Sequence, residues 1–154
     1  MHSSIRTYLA VSLLAGLGAC ASQTRRADDG LPPPPPSHIW HLVWNDEFGG
    51  SGLDGSKWKA LGNGVRREGY WSRDDAFVDG DGYLLLRTRR HDGRVYSGAI
   101  SSEGRFRRRF GLWAIRCKFG SQPGHWPAFW LYSQHVERVG DEGRDGTEID
   151  VVEK

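Results

Sequence analysis

The chain has 154 residues and a formal net charge of +2 at pH 7, with 26% of its residues charged and 38% hydrophobic. A net charge this small does not imply a nucleic-acid partner. Its six histidines show no zinc spacing such as H-E-x-x-H, which leaves no zinc-hydrolase pattern.

In chain order, Arg6 is followed by the apolar residues 8–19 and then by Cys20. That pattern predicts a signal peptide over residues 1–20, too short to span a bilayer as a permanent helix. Leu17-Gly18-Ala19-Cys20 is similar to a bacterial lipobox, in which the cysteine is lipidated and becomes the mature N-terminus. An exported lipoprotein of the outer membrane or cell surface is expected, held to the membrane only through that lipid. The alternative is cleavage at Ala19-x-Ala21, which removes Cys20 and leaves a secreted or periplasmic protein. Residues 21–37, with the proline run 32–36, read as an extended polyproline linker lifting a domain off a membrane. The globular part is expected over residues 38–154, enough to bury a core.

Beyond the linker the signals are β. Residues 83–89 and 94–101 flank His91-Asp92-Gly93, a hairpin signature, and Asp79-Gly80-Asp81-Gly82 is a tight turn. Residues 112–119 alternate, with Trp113, Ile115, Cys117 and Phe119 on one face. This predicts a core cysteine at 117 rather than a disulfide or redox site. Residues 126–132 and 147–153 read as further strands. Short strands at this spacing imply an all-β fold, an antiparallel sandwich.

The last of these strands carries the chemistry. Glu148-Ile149-Asp150-Val151-Val152-Glu153 sets three carboxylates among β-branched residues, although carboxylates are poor strand formers. E-x-D-x-x-E also arises by chance on exposed helices. Here the β-branched run and the turn-rich residues 140–146 oppose a helix. On a strand Glu148 and Asp150 share one face while Ile149 and Val151 turn to the core. A one-residue bulge near Val151-Val152 would bring Glu153 back to the face of the other two carboxylates. The glutamate backbones then stand roughly 13 Å apart at about 3.3 Å per residue. Side chains leaning about 3–4 Å toward each other leave a gap of about 5–6 Å. Retaining glycosidases hold a nucleophile and an acid/base at about that separation. Trp126 and Trp130, with Ala128 between them, form a flat trough in which pyranose rings can stack. Ordinary core packing is the alternative for that pair.

Several blocks resemble glycoside hydrolase family 16: Leu42-Val43-Trp44-Asn45-Asp46-Glu47-Phe48, Gly52-Leu53-Asp54, Ser56-Lys57-Trp58, Ser97-Gly98-Ala99-Ile100-Ser101-Ser102, Trp126-Pro127-Ala128-Phe129-Trp130-Leu131 and Glu148 to Glu153. The extra residue between Asp150 and Glu153 is similar to the β-bulge branch, which holds laminarinases, agarases and carrageenases. The resemblance implies a concanavalin A-like jelly roll and a retaining endo-β-glycosidase acting on β-1,3-glucan. An agar-type β-galactanase is the alternative. By the same resemblance Glu148 is the nucleophile, Asp150 its hydrogen-bonding helper and Glu153 the acid/base. No cofactor is implied for catalysis. The family often carries a structural calcium near its N-terminal strand, to which Glu47 could contribute. A polysaccharide substrate and a monomer are expected.

Two departures stand out. Ala114 occupies a place, two residues before Arg116, where the family usually has glutamate. The chain also ends one residue past the catalytic strand, so that a jelly roll truncated at about half its length is expected. A non-catalytic carbohydrate-binding surface lipoprotein using Trp126 and Trp130, or an inactive truncated product, are the competing functions. Arg105, Arg107, Arg108 and Arg109 read as a solvated strand face, with contact to an anionic polysaccharide or to nucleic acid as alternatives, and Asp141, Glu142 and Asp145 as a mobile loop bordering the cleft.

Overall fold

The computed structural model describes the backbone of residues 4–12 together with residues 30–133 and 146–154. It is all-β, as the strand spacing predicted, and its sheets are antiparallel apart from one short parallel pair. No helix among the described residues is long and apolar enough to cross a membrane. The chain forms two compact units, Met1–Arg116 and Cys117–Lys154.

In the first unit, β1 (Ser4–Ser12) lies between β2 (His38–Asp46) and β11 (Leu112–Arg116). It runs antiparallel to both, pairing Ile5 with Asp46 and with Ile115. Residues 4–12 were expected in the leader, outside the fold. Here their β-branched and aromatic content suits a strand, and they satisfy the backbone groups of two neighbours. In the uncleaved chain these residues thus complete a three-stranded sheet. The Pro32 carbonyl accepts the Trp40 indole N–H at 2.8 Å, and His38 N–H bonds to Pro35 O at 3.0 Å.

Two clusters organise this unit. The first is aromatic. Trp44 meets Trp58 edge-on at 4.9 Å and stacks on Phe106 at 5.1 Å, and Phe106 reaches Trp113 at 5.9 Å. Buried Asp46 accepts the Phe48 backbone N–H and the Trp58 indole N–H, each at 2.8 Å. Phe48 has φ 52°, an unusual conformation for a bulky residue, and the Asp46 carboxylate helps hold it there.

The second cluster surrounds Asp75, which is fully buried. Its carboxylate accepts Arg87 Nε at 2.7 Å and Arg89 Nε at 3.0 Å. Burial pushes this carboxyl up, but hydrogen bonds from Ser72, Arg87 and Arg89 outweigh it and hold the pKa below the ordinary 3.8. The Asp75 carbonyl accepts Arg87 N–H at 2.8 Å, and Arg87 O accepts Gly98 N–H at 3.0 Å. A Cβ on Gly98 would fall 1.9 Å from the Asp75 oxygen, so the backbones approach too closely for any side chain.

The remaining strands follow from their turns. β3 (Lys59–Ala60) pairs with β10 (Ile100–Ser101). β6 (Ala76–Val78) and β7 (Leu84–Leu86) are joined through Asp79, whose carboxylate accepts the Asp81 and Tyr83 N–H groups. β8 (Thr88–His91) and β9 (Arg94–Ser97) form the expected hairpin. Asp92 and Gly93 both have positive φ, 48° and 73°, as a two-residue primed turn requires. β4 (Gly64–Arg66) and β5 (Gly69–Trp71) extend that sheet, β5 running parallel to β9.

Three expectations need correction. The stretch 83–89 is two strands, broken at Arg87 where the backbone turns to Asp75 and Gly98. β11 stops at Arg116, so the alternation never reaches Cys117, which is exposed rather than in the core. The arginines at 105 and 107–109 lie in turns and loops instead of on a strand, though they are exposed as expected. Arg105 Nε donates to Gly55 O at 2.9 Å, and Arg108 lies over the Phe106 ring. Bonds of this kind give the run local uses that a strand would not.

Candidate active site

The three carboxylates come together in the second unit. β12 (Ala128–Tyr132) pairs antiparallel with β13 (Glu148–Glu153). Opposed residues in an antiparallel pair project from the same face. Tyr132 stands opposite Glu148 and Trp130 opposite Asp150. The register then shifts, so that Phe129 meets Val152 and Ala128 meets Glu153. Val151 is the unpaired residue. This is the bulge expected from the sequence, and without it Glu153 would point to the opposite face.

One face of the ribbon therefore carries Glu148, Asp150 and Glu153 beside Ala128, Trp130 and Tyr132. Trp126, just before β12, joins them, because its indole N–H donates to Glu153 Oε1. Trp126 is 58% exposed and Trp130 38%, so neither ring is buried among the described residues. The Trp130 and Tyr132 rings meet edge to face at 5.1 Å. The ribbon is closed at one end by Lys154 N–H on Pro127 O at 3.1 Å and at the other by Ser133 N–H on Thr147 O at 3.1 Å.

Tyr132 escaped the sequence reading. The signal was present: it continues the alternation of Ala128 and Trp130 and so falls on their face. The opposite face carries the half-buried Phe129, Leu131 and Val152. Ile149 and Val151 were expected to face the core, yet they are 53% and 42% exposed. A two-stranded ribbon has too little apolar surface of its own to cover every β-branched side chain, and Val151 is displaced by the bulge.

Other sequence candidates fare differently. Calcium takes six to eight oxygen ligands. Among the described residues no group of three or more His, Cys, Asp or Glu side chains could hold a metal ion, and Glu47 is the one expected calcium ligand among them. Cys20 and the loop bearing Asp141, Glu142 and Asp145 lie outside the described residues. Ala114 pairs with Arg6 across β11 and β1, in the first unit.

Chemically, one face offers two glutamates with an aspartate between them and flat rings alongside. One carboxylate can attack while another, protonated, delivers its proton.

Comparison with known proteins points the same way. The chain is 34% identical over 125 residues to the beta-glucanase of Rhodothermus marinus, covering 74% of this chain and 43% of that one. It is 32% identical over 111 residues to the keratan-sulfate endo-1,4-beta-galactosidase of Sphingobacterium multivorum, covering 66% of this chain and 26% of the other. It is 27% identical over 149 residues to glucan endo-1,3-beta-glucosidase A1 of Niallia circulans, covering 80% and 21%. All three relatives are glycosidases by name, and the chain spans less than half the length of each. No family model and no solved structure matches the chain.

Proposed function

We propose that the chain belongs to the β-bulge branch of glycoside hydrolase family 16, with a jelly-roll fold, and contributes the catalytic ribbon of a retaining endo-β-glycosidase. The observation that carries this is the register shift at Val151, which sets Glu148, Asp150 and Glu153 on one face next to Trp126 and Trp130.

In this mechanism the Glu148 carboxylate attacks the anomeric carbon while Glu153 protonates the departing glycosidic oxygen. The C–O bond to the leaving sugar breaks and a glycosyl ester forms on Glu148. Glu153, now a carboxylate, takes a proton from water, which attacks the same carbon and releases Glu148. Asp150, between the two on the same face, supports Glu148. The retention of configuration follows from two inversions.

The proposed substrate is β-1,3-glucan, in keeping with the name of the glucan endo-1,3-beta-glucosidase and, as to a β-glucan, with that of the beta-glucanase. A β-galactan is the second choice, favoured by the similarity to an endo-β-galactosidase. Product profiling of the full-length protein on laminarin, lichenan, agarose and keratan sulfate decides between them. Cleavage of galactans without any β-glucan would overturn the first choice.

Export as a lipoprotein anchored through Cys20 completes the proposal. Cys20→Ser is expected to abolish fatty-acid labelling and move the protein from the membrane fraction to the soluble one. Each buried CH₂ of an acyl chain contributes about 0.8 kcal/mol to anchoring, so the shift in fractionation will be large. An unlabelled wild type whose mature N-terminus is Ser22 would establish simple secretion.

A further inference from the structure

Glu153 is exposed on the ribbon, and a free glutamate there would sample many rotamers. Instead its Oε1 accepts the Trp126 indole N–H. Donor and acceptor are built into adjoining parts of one ladder. Pro127, with its fixed φ, follows Trp126, and its carbonyl takes the Lys154 N–H at 3.1 Å. Ala128 stands opposite Glu153 itself. The backbone beside both groups is therefore held by the ladder, which keeps the indole within reach of the carboxylate.

We infer that Trp126 is a positioning residue for Glu153, fixing which oxygen carries the catalytic proton. This rests on the acid/base role proposed for Glu153. An indole N–H donates and never accepts. A proton on Oε1 would face that N–H head-on, so in the acid form the proton resides on Oε2. Oε2 then gives it to the glycosidic oxygen, the leaving sugar departs as an alcohol, and the same atom later takes a proton from the attacking water. Oε1 stays on the indole throughout. A sugar ring stacked on the face of Trp126 would settle the indole, and with it Glu153, so that substrate binding and acid alignment share one side chain.

The test separates this role from stacking. In the full-length protein, Trp126 is replaced by β-(3-benzothienyl)alanine, which keeps the ring shape and lacks the N–H, and in parallel by Phe (Trp126→Phe). Each is compared with wild type and with Glu153→Ala, after circular dichroism has established native secondary structure. Substrates are the polysaccharide, whose leaving group needs a proton, and a dinitrophenyl glycoside, whose leaving group does not. Misplacement of a catalytic group typically costs about 10²-fold. The expected result for the benzothienyl variant is a drop in kcat of about that size on polysaccharide, with little change in KM, and with glycosylation by the dinitrophenyl glycoside, read as kcat/KM, preserved. Equal losses on both substrates, or a rise in KM alone, would overturn the inference in favour of stacking, as would unchanged kinetics. Should Glu153→Ala lose kcat/KM equally on both substrates, the acid/base assignment itself fails. That outcome is distinguishable because it appears in the Glu153 variant whatever position 126 does.

Discussion

Glu148→Ala in the full-length protein is expected to lose at least about 10⁴-fold in turnover on polysaccharide, the scale seen when a covalent nucleophile is removed. Neither of the other carboxylates of β13 can replace it, since Asp150 sits one alternation step along the strand, opposite Trp130, and Glu153 lies beyond the bulge. Azide should restore turnover of an activated β-glycoside by filling the space of the missing carboxylate. It attacks the anomeric carbon directly, so the product is the α-azide. Glu153→Ala should behave differently. Substrates with good leaving groups need no proton, so glycosylation of Glu148 proceeds and azide intercepts the ester to give the β-azide. Asp150→Ala is expected to be impaired without matching either pattern. Proton NMR of the wild-type reaction checks the whole assignment, because an inverted first product is incompatible with a glycosyl ester on Glu148.

Asp75→Asn is expected to destabilise the Met1–Arg116 unit by about 2–3 kcal/mol, because it leaves Arg87 and Arg89 without their buried anion. The figure sits at the low end for a buried pair since the arginines are 50% and 35% exposed, which lets water screen part of the loss. The pH dependence follows from the depressed pKa. A group whose folded-state pKa lies below its unfolded value stabilises fully above the unfolded value, 3.8 here, and the contribution is lost as pH falls through the lower folded value. Urea denaturation at neutral pH should thus show the full difference between wild type and variant, and the two curves should converge in strong acid. A gap that stayed constant down to the lowest pH would mean that the Asp75 charge is not what stabilises this cluster.

Much of the β-structure was legible in local chemistry. The Asp92-Gly93 turn dictated the β8–β9 hairpin, because two consecutive positive φ values suit few residue pairs. The Asp79 turn was equally local, its carboxylate bonding to N–H groups two and four residues on. The hub at Asp75 was not legible. Its partners Arg87, Arg89 and Gly98 are scattered along the chain, and an aspartate in Arg73–Asp75 reads as surface until the arginines close over it. The alternation through 112–119 failed for a related reason: period-two patterning gives a strand its faces but not its end.

For the candidate site, the sequence alone determined the carboxylates, the two tryptophans and the need for an odd residue between Asp150 and Glu153. These follow from residue identity and the two-residue period of a strand, which are local. Only the tertiary structure decided which strand pairs with β13 and in what register. That pairing puts Val151 out of the ladder, brings Tyr132 opposite Glu148 and sets the Trp126 N–H on Glu153. It also paired Ser4–Ser12, which read as part of a leader, with β2 and β11 in the uncleaved chain. Pairing between strands is settled by backbone hydrogen bonds and cross-strand contacts between residues far apart in the chain, and no single segment encodes its partner.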